Sequence, residues 1–181
     1  MKNKVTGFAA RAAGLAMLAT CMGGIAHAQS TTLDIQVGAK AAAFVEPALT
    51  GDVPTAVVFD PANPASKADA DAIMAAMGDG LKIKSGTLRP QLVAVGDAAS
   101  LANVQVAFLA HGVGDGMGPV SAAAAANSVL TISNDMSCVE TDRCVVGVQS
   151  KPKVLIVVSK SATSASKLQF GAAFLMMVKE R

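Results

Sequence analysis

The sequence predicts a single three-layer-like α/β domain, with a mixed, largely parallel sheet flanked by helices. Three observations predict it. Short β-branched apolar runs alternate with segments of helical spacing, the pattern of strand–helix–strand units. The glycine-rich stretch His111 to Gly118 joins an apolar run to a helix start. The last two apolar runs are separated only by Lys151-Pro152 and its neighbours, too little chain for a crossover, so that pair is antiparallel.

Each element has its own signal. Leu33 to Glu46 places Leu33, Val37, Ala41 and Phe44 at helical spacing, and Pro47 ends it. Thr55 to Phe59 is a β-branched run closed by Asp60-Pro61, a strand and its turn. Ser66 is placed to cap a helix that runs through Met77 to Gly78, with Asp69 and Asp71 in its first turns complementing the helix dipole. Leu81 to Leu88 alternates, and Gln91 to Val95 follows beyond Pro90; both read as strands. Val104 to Leu109 is a buried-looking strand, and Pro119 stands where the next helix begins, continued by Ser121 to Ala126. Val129 to Ser133, Cys144 to Gln149 and Val154 to Ser159 are strands. Ser161 to Lys179 closes the chain as a helix with Leu168, Ala172, Leu175 and Met176 on one stripe.

The first 28 residues have a different character. Lys2, Lys4 and Arg11 precede a short apolar run from Ala12 to Ala19, and Ala26-His27-Ala28 is a small-x-small cleavage site, the layout of a secretory signal peptide. The run is about half of the ~20 residues that span a bilayer. Residues 1–28 are therefore expected to be removed, leaving a domain of residues 29–181 in the periplasm. Leu18-Ala19-Thr20-Cys21 resembles a lipoprotein box, but Thr20 departs from the small residue required before a lipidated Cys21, so the cut after Ala28 is preferred.

Composition narrows function further. Three of the 15 basic residues and none of the 13 acidic ones fall in the leader, so 12 against 13 remain, a net charge near −1. No basic field is left to attract nucleic acid. With no Trp or Tyr and only five Phe after residue 28, the chain cannot build a good aromatic platform for sugars or single strands. Cys138 and Cys144 survive cleavage, and an even pair this close in an oxidising compartment reads as a disulfide. A zinc site wants four ligands, and the mature chain has one histidine, His111, so no metal or other cofactor is expected.

The glycine stretch is the candidate ligand loop. His111, Gly112, Gly114 and Gly116 lie between a strand and a helix, where backbone amides can meet a small molecule or anion. The spacing contains neither Gly-Lys-Ser/Thr nor Gly-x-Gly-x-x-Gly, and a flexible connection explains the same residues. A Ser-His-Asp site would need His111 as base with Ser121 or Ser133 and Asp115 or Asp135, and no Gly-x-Ser-x-Gly elbow exists. Ser164 to Lys167 and Lys84-Ser85-Gly86 match penicillin-interacting motifs in inverted order on too short a chain. The chain is not expected to be an enzyme.

The segments Lys40 to Pro47, Asn127 to Ser133, Cys138 to Val148, Pro152 to Val158 and Ser159 to Met177 resemble the YfiR-type family of small periplasmic proteins. The tryptophan usual before Pro47 is missing, and the family's "GGmI" segment is replaced by Met136 to Cys144. The resemblance implies a regulator that binds the periplasmic part of an inner-membrane signalling protein, a diguanylate cyclase, and in some members responds to redox state. The alternative expectation is a small periplasmic solute-binding module, suggested by the strand-to-loop segments Val57 to Ser66 and Val106 to Gly112. A one-lobe version would complete its site as a homodimer.

Overall fold

The computed structural model describes residues 29–181; the expected leader, its cleavage site and Cys21 lie outside the described residues. In chain order the elements are α1 (Thr32–Ala42), β1 (Val45–Glu46), β2 (Gly51–Phe59), α2 (Pro64–Met77), β3 (Leu81–Lys82), β4 (Gly86–Ala94), a 3-10 segment (Val95–Asn103) and β5 (Val106–Leu109). A 3-10 turn (Gly114–Gly116) leads into α3 (Met117–Ala126), then β6 (Leu130–Ser133), α4 (Met136–Glu140), β7 (Val146–Gln149) and β8 (Leu155–Val158). The chain ends with α5 (Lys160–Ala165), β9 (Gln169–Phe170), α6 (Ala172–Leu175) and β10 (Lys179–Glu180).

Eight strands form one sheet in the order β10-β8-β7-β6-β5-β2-β4-β3. Neighbours from β4 to β7 are parallel, whereas β7–β8 and β3–β4 are antiparallel, so the sheet is mixed and largely parallel as expected. Alternation along the central strands feeds two cores. Val57, Phe108 and Ile132 face α1 and α2, while Val58, Leu109 and Ala107 face the 3-10 segment, α3 and α4. Strands buried on both faces read as continuous apolar runs, which is why β5 and β6 were recognisable from sequence. The three layers follow from that double burial.

Four expectations are corrected. The stripe of α1 holds only in its middle: Val37 and Ala41 are buried as expected, with Ile35, Ala39 and Ala42 beside them, but Leu33 and Phe44 are exposed, and the helix ends at Ala42 with Val45–Glu46 a strand. Asn63, not Ser66, caps α2; its Oδ1 accepts from the Ala65 amide at 3.0 Å with Pro64 beside it, and Ser66 Oγ instead accepts from the Asp60 amide at 3.0 Å. Leu81 to Leu88 is not one strand but a turn between β3 and β4, closed by Ile83 N–H to Gly86 carbonyl at 2.9 Å. Beyond it β4 runs unbroken through Pro90, because β3 pairs only with Thr87 and Leu88 and leaves the outer side of β4 open there.

The largest correction is the closing helix, which is four short elements. Ser159 Oγ accepts from the Ala162 amide at 2.9 Å and starts α5. The helix then stops in a Schellman motif: Lys167 has φ 54°, its N–H bonds the Ser164 carbonyl, and Leu168 N–H bonds the Thr163 carbonyl. The reversal lets β9 pair with β1 and seats Phe174 among the core side chains.

Candidate functional site

The chain runs from β2 to β4 on one side, then returns to β5 on the other side of β2. In an open α/β sheet, a reversal of this kind leaves a crevice beyond the carboxyl ends of the strands. Here the cavities at that end are bordered by the loops after β5, β6 and β7, and by Gln29 and Thr31 ahead of α1.

The inner part of the rim is built on Asp69. This residue is fully buried and accepts from the Ser30 amide at 2.5 Å, the Ser30 hydroxyl at 3.0 Å and the His111 amide at 2.7 Å. A buried carboxylate needs such donors to offset its desolvation. The expected dipole role of Asp69 is thus replaced by a tertiary one, whereas Asp71 pairs with Lys67 at 2.8 Å on the exposed face. Asn63 adds a second brace, its Nδ2 donating to the Gly112 carbonyl at 2.9 Å. Gly112 has φ 77°, and a Cβ there would also press on the Asn63 amide, so both backbone shape and space require glycine.

A cleft of about 440 Å³ opens beside this loop, between it and the α4 segment. His111, Gly112 and Gly114 line it on one side, with Asp135, Cys138 and Arg143 opposite. His111 is half-buried at its edge. Gly116 does not line the cleft; a Cβ at this position would overlap the Val95 side chain, so this glycine serves the packing of the loop against the 3-10 segment. Ser133 is buried, donates to the Leu109 carbonyl at 3.2 Å and accepts from the Asp135 amide, while the Asp135 carboxylate caps α4. Both of these candidate triad members are committed to local structure.

Cys138 and Cys144 form the expected disulfide, with Cα atoms 5.5 Å apart. The loop between them is exposed at Glu140 to Arg143, but the two cysteines are buried beneath it. The Ser159 hydroxyl donates to Asp142 at 2.6 Å, and Arg181 donates to the Val139 carbonyl at 2.7 Å, tying this loop to the C-terminal segment.

The outer part of the rim is a second cavity of about 300 Å³, bordered by Thr31, Asp34, Asn134, Gln149 and Ser150. Asp34 accepts from the Thr31 amide at 2.9 Å, the Thr31 hydroxyl at 2.6 Å and the Ser150 amide at 2.9 Å. Burial pushes the Asp34 carboxyl up, but the hydrogen bonds from Thr31 and Ser150 together outweigh it and hold the carboxyl below its ordinary value. Asn134 Oδ1 is the one buried side-chain polar atom without a hydrogen-bond partner among the described residues. No cluster of three metal-ligating side chains occurs among the described residues.

His111, Gly112, Gly114 and Cys138 thus meet at one cleft. Asp34, Asn63, Asp69, Asn134 and Ser150 were missed by sequence reasoning. Asn63 carried a signal, an Asx residue directly before Pro64 at a helix start; the others are joined to the rim by contacts distant in sequence.

No family model matches the chain, and no curated protein matches it significantly. Two solved structures are similar in fold. One is described as an ABC domain in complex with L-Trp from Streptococcus pneumonia, with TM-score 0.57 and 11% identity over 81% of this chain and 60% of that one. The other is a conserved domain protein from Vibrio cholerae, with TM-score 0.57 and 11% identity over 82% of this chain and 59% of that one. The chain therefore spans about three-fifths of the length of either neighbour and shares with them the layered α/β fold.

Proposed function

We propose that this chain is a small-ligand binding module that captures its ligand in the crevice beyond the carboxyl ends of the sheet. The observation that carries this reading is the braced rim. Asp69 and Asn63 hold the backbone of His111 and Gly112 in place, and the unpartnered Asn134 Oδ1 leaves an acceptor for a ligand N–H or O–H. The cavities at the rim are of the size that takes small metabolites. The L-Trp held by one structural neighbour makes amino acids the first compounds to try. Thermal unfolding against a library of amino acids and small metabolites tests the proposal. A cognate ligand at a hundred times its Kd stabilises the fold by about 2.7 kcal/mol, and Asn134→Ala removes that response. A library that shifts nothing sinks the reading.

The C-terminal segment favours a second reading, the periplasmic regulator that the family resemblance implies. Met176 and Met177 are 84% and 69% exposed, large apolar side chains suited to a protein partner. The partner would be the periplasmic part of an inner-membrane diguanylate cyclase. Co-purification with such a cyclase encoded alongside, lost in Met176→Ser/Met177→Ser, supports this reading; no association of the unaltered chain removes it.

A further inference from the structure

The face of the molecule formed by α1 and the turn between β3 and β4 carries a second concavity, of about 440 Å³, that shares no lining residue with either cavity of the rim. Its walls are largely apolar, built from Ala39, Ala43, Phe44, Leu81 and Ile83, with Gln36 the one uncharged polar side chain among them. Phe44 is held as a firm wall because its ring stacks on Phe174, with centroids 4.9 Å apart and planes 13° from parallel. The mouth is basic. Lys40, Lys82 and Lys84 all line it, and no carboxylate does. None of these lysines forms an ion pair among the described residues.

An apolar trough with three like charges at its opening lacks two things: a hydrophobic group to cover its walls and an anion to offset the mutual repulsion of the ammonium groups. A molecule that supplies both at once is an amphiphile with one negative head. The chain carries a net charge near zero after the leader, so this concentration of positive charge is local and does not reflect a basic surface. The volume lies within the range of small-ligand sites.

We propose that this groove binds a single-chain amphiphilic anion, a medium-length fatty carboxylate or its chemical equivalent, with the tail along Phe44, Leu81 and Ile83 and the head among Lys40, Lys82 and Lys84. The site is independent of the crevice and of the function assigned to it. The three lysines are exposed, so replacing them leaves the core intact.

Calorimetric titration of the full chain with sodium decanoate, kept below its micelle concentration, tests the proposal. Saturable binding of one decanoate per chain is expected. The double variant Lys82→Gln/Lys84→Gln should weaken it by about tenfold or more. Ala43→Trp, which fills the groove, should abolish it, with circular dichroism confirming an unchanged fold. Decylamine and inorganic phosphate should not bind, the first for its charge and the second for want of a tail. Asn134→Ala, on the other side of the molecule's chemistry, should leave decanoate affinity as it was, which separates this site from the crevice. The proposal is overturned by the absence of saturable decanoate binding, by equal binding of decylamine, or by lysine variants that bind as the unaltered chain does. Association with phosphatidylglycerol vesicles but not with free decanoate would also overturn it, by assigning the lysines to a membrane surface.

Discussion

At the inner part of the rim, one carboxylate from α2 holds two separate segments, residue 30 ahead of α1 and residue 111 after β5, and is itself sealed from water. At the outer part, the carboxylate of Asp34 closes the capping box of its own helix and reaches out only once, to Ser150. Asp69 anchors Ser30, and Asp34 anchors the next residue, Thr31. The difference is in what depends on each. Removing Asp69 leaves the amides of two separate segments without their acceptor, whereas removing Asp34 mostly frays a helix start. The inner half is therefore the fixed side of the crevice, and the outer half the side able to adjust to a ligand.

Asp69→Ala should have the largest effect. The Ser30 and His111 amides lose their acceptor, at about 1–3 kcal/mol for each buried donor, so a total loss near 3–4 kcal/mol is expected in urea unfolding. Ligand-induced stabilisation should vanish with it. A loss below about 1 kcal/mol would mean that water reaches both amides and the inner brace is not fixed.

The outer half predicts a smaller, pH-dependent effect. Asp34→Ala should cost about 1–2 kcal/mol, the value of a helix cap plus one tertiary bond. The sign with pH follows from the lowered carboxyl. Because the folded form holds Asp34 below its unfolded value, its contribution is complete above the ordinary carboxylate range near ~4 and is lost as pH falls through the lower folded-state value. Unfolding midpoints measured between neutral pH and pH ~3 should fall on acidification, and Asp34→Ala should flatten part of that fall. Identical profiles would place the acid sensitivity elsewhere.

The smallest effect lies outside both halves and serves as a control. Lys167 adopts the left-handed conformation that glycine takes without penalty, so Lys167→Gly should raise stability by about 0.5–1 kcal/mol while leaving every rim property unchanged. Destabilisation would show that the lysine side chain contributes more than its backbone strain costs.

The same residue explains much of what could be read from the chain and what could not. The strands at 55–59, 104–109 and 129–133 were legible because parallel strands buried on both faces are apolar throughout, and those at 144–149 and 154–159 because short β-branched runs stand between turn residues. The end of α2 was legible because Gly78 stands there. The ends of α3, α4 and α5 fall instead at Ser128, Asp142 and Lys167, each with positive φ and none a glycine. A search for glycine stops passes over all three, which is how four elements after Ser159 merged into one expected helix. At the site, His111 and its glycines were visible as a loop between strand and helix. Asp69 was not, since its partners lie 39 and 42 residues away, and Asp34 reaches across 116 residues to Ser150. Local spacing carries no trace of such pairings.

The two margins of the sheet have a consequence for how copies of this chain meet. Each outermost strand, β3 and β10, is only two residues long, and Lys82, Lys179 and Glu180 sit on them. So short a ledge offers few free amides and carbonyls, and the longer free edge of β4 beyond Leu88 carries Arg89 and then Pro90, which has no N–H to donate. Both devices discourage crowded copies from zipping into continuous ribbons.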